Sequence, residues 1–168
     1  MFHRRSSSRP TTIVIRLPPR WRHSRNELSG ETGAVQLVVR PRLGQGGFRV
    51  AVADVYGRMC AVSTEHSLPA LEAAHIRPYA EGGNHELRNG LLLRADIHRL
   101  FDKGFVTVTP DFQFRVSRRL EQEYENGRIY YELEARVRST GGIHLPQDPA
   151  ARPGTDLLEW HSSERFVA

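Results

Sequence analysis

Apolar positions change their period several times along the 168 residues of this chain. In residues 1–42 they are sparse: a basic Ser/Arg opening, a short apolar run over 12–17 stopped by Pro18-Pro19, and a Gly/Ser/Glu patch before AVQLVVR. That pattern supports two short strands at most. After the glycines at 44, 46 and 47, residues Phe48, Ala51, Val52, Val55 and Tyr56 recur at helical spacing up to Gly57, which predicts a helix over 47–56. Cys60-Ala61-Val62 and the run 71–76 are short apolar segments either side of a polar link, the right lengths for two strands of a hairpin. A loop containing Gly82-Gly83 covers 79–89, Leu91-Leu92-Leu93 is a buried segment, and 95–101 has helical character with a stop at Gly104.

Downstream, 105–109 and 112–116 alternate with period two around Pro110-Asp111, so a second hairpin is expected. Residues 117–125 read as a short helix ended by Asn126-Gly127, and 128–137 as another strand. Ile143-His144-Leu145-Pro146 opens a Pro-rich return that closes on Leu157-Leu158-Glu159-Trp160-His161, where His161 is expected to pack the return against the domain. There is no internal repeat. The mixture of short strands and helices points to an α+β domain.

The length suits one domain with a tail, and no apolar run approaches the roughly 18 residues of a membrane span. The arginine-rich N-terminus lacks the apolar core of a secretory signal, so the expected location is cytoplasmic. It also reads as the remnant of a longer protein or as a misplaced start. Cys60 is the only cysteine, which excludes an internal disulfide and paired-cysteine zinc knuckles; any metal must be held by His, Asp or Asn. The net charge of +5 is carried almost wholly by arginine, since Lys103 is the only lysine. Arginine's planar fork pairs two phosphate oxygens at once, which favours a polyanionic partner such as DNA or RNA. Codon bias in a GC-rich genome explains the choice of arginine over lysine equally well, but leaves the charge in place.

The segment LEAAHIRPYAEGGNHELRNGLLLRADIHRLFDKGF changes the picture most. It holds His75, then Asn89 fourteen positions on, then His98 nine further. Hydrolysing a phosphodiester needs an activated water, a cation to absorb phosphoryl charge and help for the departing oxygen. Histidine titrates nearest neutrality, so His75 is the candidate general base. His98 and Asp102 lie one helical turn apart on one face, a spacing that can chelate Mg²⁺, Mn²⁺ or Zn²⁺. Asn89 can tie the loop to the strand through backbone hydrogen bonds. Singly, each has a plainer reading: a core histidine, a solvated helix face, a turn asparagine. Together, in order, within about thirty residues, they outweigh it.

The motifs AAHIxP, NGLLL and DIHxLFDxG in this segment resemble the HNH endonuclease family, whose fold is the ββα-metal (His-Me finger) nuclease core. The likeness is strong over 43–109, where GQGxFR, the tyrosine at 56 and CAV also match, and fainter at EYENGRIYYEL, IHLP and LEWH. It implies an α+β nuclease domain over 43–168 with its core at 58–106, flanked by a helix and additional hairpins and preceded by a basic, loosely structured segment over 1–42. It implies His75 and Asn89 as catalytic residues and His98 and Asp102 as ligands of a divalent ion, with Mg²⁺ the first choice and Mn²⁺ or Zn²⁺ the alternatives. One departure matters. Many relatives carry an Asp or His immediately before the catalytic histidine as a further ligand, and here that residue is Ala74. The ion is then held by two side chains plus water and phosphate, or recruits His85 or Asp96. Asp96 reads equally as an acidic residue at the helix N-terminus, and His85 as an exposed loop residue. Arg77, Arg94 and Arg99 flank the site as candidate phosphate contacts.

The resulting expectation is a metal-dependent DNA endonuclease, RNA not being excluded, serving restriction or another defence role. Two alternatives stand beside it: a nucleic-acid-binding module of the same fold that cuts weakly, suggested by Ala74, and a toxin-type nuclease with an immunity partner. No paired-cysteine finger or helix-turn-helix spacing is present to read bases. A homodimer or a separate specificity partner is therefore expected, and no membrane.

Overall fold

The computed structural model describes residues 44–168, so the strands expected upstream and the loose character of 1–42 lie outside the described residues. Helix α1 (Gln45–Val55) is followed by strands β1 (Leu71–His75) and β2 (Gly90–Arg94), helix α2 (Ala95–Asp102) and strands β3 (Val106–Val108) and β4 (Phe114–Val116). Three more helices complete the chain: α3 (Arg119–Tyr124), α4 (Arg128–Ser139) and α5 (Thr155–Glu164). This is an α+β arrangement whose centre is the ββα unit β1–β2–α2. Among the described residues no helix is long and apolar enough to cross a membrane.

The hairpin of the ββα unit is formed by different partners from those the apolar runs suggest. β1 pairs antiparallel with β2, Leu71 opposite Arg94 and His75 opposite Gly90, while Cys60-Ala61-Val62 makes a turn. Thr64 donates its backbone N–H to the Cys60 carbonyl, at a φ of 57°, and this folds the chain back before a strand can extend. The segment meets β2 at two isolated bonds, the Ala61 N–H to the Leu92 carbonyl at 2.8 Å and the Arg94 N–H to Cys60 Sγ at 3.3 Å. Three apolar residues filled the core without laddering, because burial rewards any backbone that hides them.

Phe48 and Val52 of α1, Ala74 of β1, Leu91 of β2 and Ile97 of α2 are fully buried together. Helix α1 thus covers one side of the hairpin, at the spacing its apolar stripe predicts. Helix α2 follows β2 with no intervening loop and ends before Gly104, which takes a φ of +75°. A β-carbon there would lie 2.0 Å from the Arg165 carbonyl, so glycine both ends the helix and admits the C-terminal segment.

Residues 128–137 form part of a helix and not the strand their local alternation suggests. Leu133 and Val137, four apart, are the buried residues of α4 and pack toward β4. The outer face is tied by Arg128–Glu132 and Arg138–Glu134 pairs at the same spacing. Glu134 turns inward at one oxygen to accept the Val116 backbone N–H at 3.1 Å, which fixes α4 on β4. The hairpin of β3 and β4 has the expected register about 110–111, with Val106, Val108 and Phe114 buried. The Pro-rich return ends in α5, whose Leu158 and His161 are buried and which packs on β3.

Candidate active site

An open pocket of about 810 Å³ lies where the end of β1, the loop after it and the face of α2 meet. His75, the last residue of β1, enters it half-buried, with its ring stacked on Phe48 of α1 at 4.1 Å between centroids and 11° between planes. Burial holds the His75 pKa below the ordinary histidine value, and the neighbouring His85 and His98 lower it further, against a smaller opposing pull from Asp102. The imidazole is therefore neutral at physiological pH, the state in which it can accept a proton.

Asn89 lies in the base of the loop, 1% exposed, and its amide makes three hydrogen bonds. The side-chain oxygen accepts the Arg77 N–H at 2.9 Å, and the amide nitrogen donates to the carbonyls of Arg77 at 2.9 Å and Asn84 at 2.8 Å. These bonds join the two ends of the loop and hold its middle. Gly83 completes the closure, since a β-carbon there would sit 1.9 Å from the Arg77 carbonyl.

On α2, His98 Nε2 and Asp102 Oδ2 are 3.4 Å apart, and both residues line the pocket. The other ring nitrogen of His98, Nδ1, meets Glu72 Oε2 of β1 at 2.7 Å. The carboxylate fixes the ring and directs Nε2 toward Asp102. Among the described residues, no set of three or more His, Cys, Asp or Glu stands ready to enclose an ion. Glu72 sits behind His98 and not beside the open pair. Ala74, fully buried, offers no donor.

The other candidates divide. His85 enters the pocket, its Nδ1 3.0 Å from His75 Nε2. Asp96 does not: Arg94 binds both its oxygens, at 2.6 and 2.8 Å, and Tyr130 donates to it at 3.1 Å, so its pKa is held down chiefly by the Arg94 hydrogen bond. Arg94 is occupied by the same pair. Arg77 donates to the Glu81 carbonyl at 2.6 Å and lies over the Trp160 ring at 5.1 Å. Arg99 is exposed on α2, outside the pocket lining.

Residues 60–109, which contain this whole ββα unit, match the family model described as HNH endonuclease. This stretch belongs to the HNH endonuclease family. Among solved structures the chain is similar to a protein described as a modification dependent TagI restriction endonuclease, with 21% identity and a TM-score of 0.45, over 68% of this chain and 35% of that one. The chain therefore spans about a third of that protein's length. No curated protein sequence matches it.

The HNH pocket also contains residues that the linear motif does not single out. Glu72 carried a signal: it is the one carboxylate in the apolar strand LEAAH. Tyr79, Arg49 and Arg165 carried none, because only the packing of α1, the loop and the C-terminus brings them to the pocket rim. Arg165 pairs with Glu81 at 3.1 Å and donates to the Asp102 carbonyl at 3.4 Å, so the segment after α5 braces both the loop and the end of α2.

His161 anchors that segment to the HNH core. Its ring stacks on Phe101 at 3.6 Å, with Nε2–H donating to the Phe101 carbonyl at 3.1 Å and Nδ1 accepting from the Thr107 hydroxyl at 2.9 Å. Burial pushes its pKa down to about 4, although the bond to Phe101 pulls the other way. The folded value lies below the unfolded 6.5, so the unfolded chain binds the extra proton first as pH falls. The contribution is complete above pH 6.5 and is lost down to about 4, up to roughly 3 kcal/mol. Urea unfolding at pH 7 and pH 4.5 is expected to show a loss of about 2–3 kcal/mol, and His161→Leu a shallower dependence over the same window. An equal slope in both proteins would remove His161 as its source.

Proposed function

We propose that this pocket hydrolyses phosphodiester bonds in DNA with the help of a divalent cation. His98 and Asp102 fit such an ion, one nitrogen and one oxygen donor on a single helix face with positions left for water and phosphate oxygens, a donor set that suits Mg²⁺ first and Mn²⁺ or Zn²⁺ next. When bound, the ion neutralises charge on the phosphoryl oxygens and on the leaving oxygen. His75 takes the proton of the attacking water. Asn89 holds the loop so that His75 keeps its aim, Glu72 holds His98 in the tautomer with a lone pair on Nε2, and Arg49 and Arg165 at the rim attract the phosphate backbone.

The observation that carries this reading is the convergence in one open pocket of a histidine held neutral on β1 and a histidine–carboxylate pair one turn apart on α2. The arginine-borne net charge of +5 supports a nucleic-acid substrate. A restriction or other defence role, a cytoplasmic location, and a homodimer or a separate specificity partner complete the proposal. Residues 43–168 are proposed as the nuclease domain.

Plasmid nicking tests it directly. Cleavage is expected with Mg²⁺, Mn²⁺ or Zn²⁺ and is expected to stop with EDTA, while His98→Ala and Asp102→Asn abolish metal binding seen by calorimetry. Glu72→Ala is expected to weaken metal affinity roughly 10- to 100-fold while leaving the rate at saturating metal largely intact. DNA bound but uncut under all three ions would overturn the enzyme reading, and cleavage of RNA alone would overturn the substrate.

A further inference from the structure

The loop histidine His85 belongs to no part of the metal pair, yet it makes the closest polar contact of the proposed base. Its Nδ1 lies 3.0 Å from His75 Nε2, with the rings at 61°. On its other side His85 stacks on Tyr79, centroids 5.6 Å apart and planes within 13°. His75 in turn stacks on Phe48. Phe48, His75, His85 and Tyr79 thus form a continuous column of rings from the core to the surface, with Phe48 fully buried and Tyr79 72% exposed.

A single proton lies between the two imidazoles, and its position decides whether His75 can act. His75 Nδ1 has no hydrogen-bond partner among the described residues, so it is the nitrogen left for water. If His85 donated, the neutral His75 would carry its proton on Nδ1 and have no free lone pair. If His75 Nε2–H donates to His85 Nδ1, the lone pair stands on Nδ1. Only the second arrangement gives a base.

We infer that His85 is a positioning residue for His75, accepting its Nε2–H so that Nδ1 faces the water, and continuing to accept that bond after Nδ1 is protonated. This rests on the reading of His75 as the base. The proton stays on His75 Nε2 throughout and none passes to His85. It does for His75 what a carboxylate does for the histidine of a hydrolytic triad, without the negative charge. Tyr79 and the Asn89-braced loop hold its ring.

The groups that share the pocket with His75 are His98, Asp102 and Glu72, together with Arg49, Glu81, Tyr79 and Arg165 at its rim. Among the described residues His85 alone hydrogen-bonds the His75 ring, at 3.0 Å. Removing it therefore releases the His75 tautomer, a change that loss of packing elsewhere in the loop does not produce.

The test uses the full chain with saturating Mg²⁺. His85→Ala is expected to lower kcat roughly 10- to 100-fold with KM within about twofold. His85→Asn, whose amide oxygen occupies the place of Nδ1, is expected to recover most of the rate. Nitrogen-15 spectra of histidine-labelled protein are expected to show His75 as the Nε2–H form in the wild type and as a tautomer mixture in His85→Ala. Wild-type kcat in His85→Ala, an Asn variant as slow as Ala, or a His75 tautomer unchanged by His85→Ala overturns the inference. If His75→Ala itself still cleaves, the failure lies with the base and not with His85.

Discussion

Replacing His75 by alanine is expected to lower the rate of DNA cleavage by roughly 10²- to 10⁴-fold, the range for loss of a general base. The protein should remain folded, because His75 is half-buried at the pocket edge and its loss leaves Phe48 exposed to water on one face only. The effect should fall on kcat, since the imidazole acts on the attacking water and not on the bound phosphate. Single-turnover nicking at saturating Mg²⁺, with circular dichroism to confirm folding, measures it. In the wild type the rate should fall as pH drops through a His75 value below 6.5, because protonation removes the lone pair. Cleavage by His75→Ala within tenfold of wild type would end the assignment.

Asn89→Ala is expected to cost stability as well as activity. The side chain is 1% exposed and makes three hydrogen bonds to backbone groups of the loop. Its removal leaves the Arg77 N–H and the carbonyls of Arg77 and Asn84 without those partners. Each unsatisfied group costs about 1–3 kcal/mol, and because loop edges can take up water the total is expected near 3 kcal/mol. For a domain of this size that lowers Tm by about 10 °C. The freed loop carries Tyr79 and His85, so kcat should fall with it. Urea unfolding and the nicking rate together give the result, and a stability loss under about 1 kcal/mol would show that the amide is not the brace.

β1 and residues 60–62 take different backbones although their local patterns are alike. Both are apolar runs of strand length, and local pattern cannot choose a partner, because one buried face looks the same whether it ladders with a neighbour or turns into the core. Residues 128–137 failed for a related reason. Ile129, Tyr130 and Tyr131 suit a strand by propensity, and the i, i+4 burial of Leu133 and Val137 against β4 decided for helix. By contrast α1, α2 and the second hairpin were legible, since their apolar period and their Gly or Pro stops agree.

What the amino-acid sequence by itself determined is the chemical inventory and its local geometry. His98 and Asp102 share a face because four residues make about one turn, and Asn89 sits at a loop end because of its neighbours Gly90 and Leu91. Only the tertiary structure decided which groups meet across elements. It set Glu72 behind His98, took Asp96 out of the site by pairing it with Arg94, and brought Arg165 to the pocket rim from the far end of the chain. It also put His85 against His75, ten residues away across a closed loop. The physical reason is that such contacts depend on how buried faces pack, and packing follows from the whole core and not from any short stretch of it.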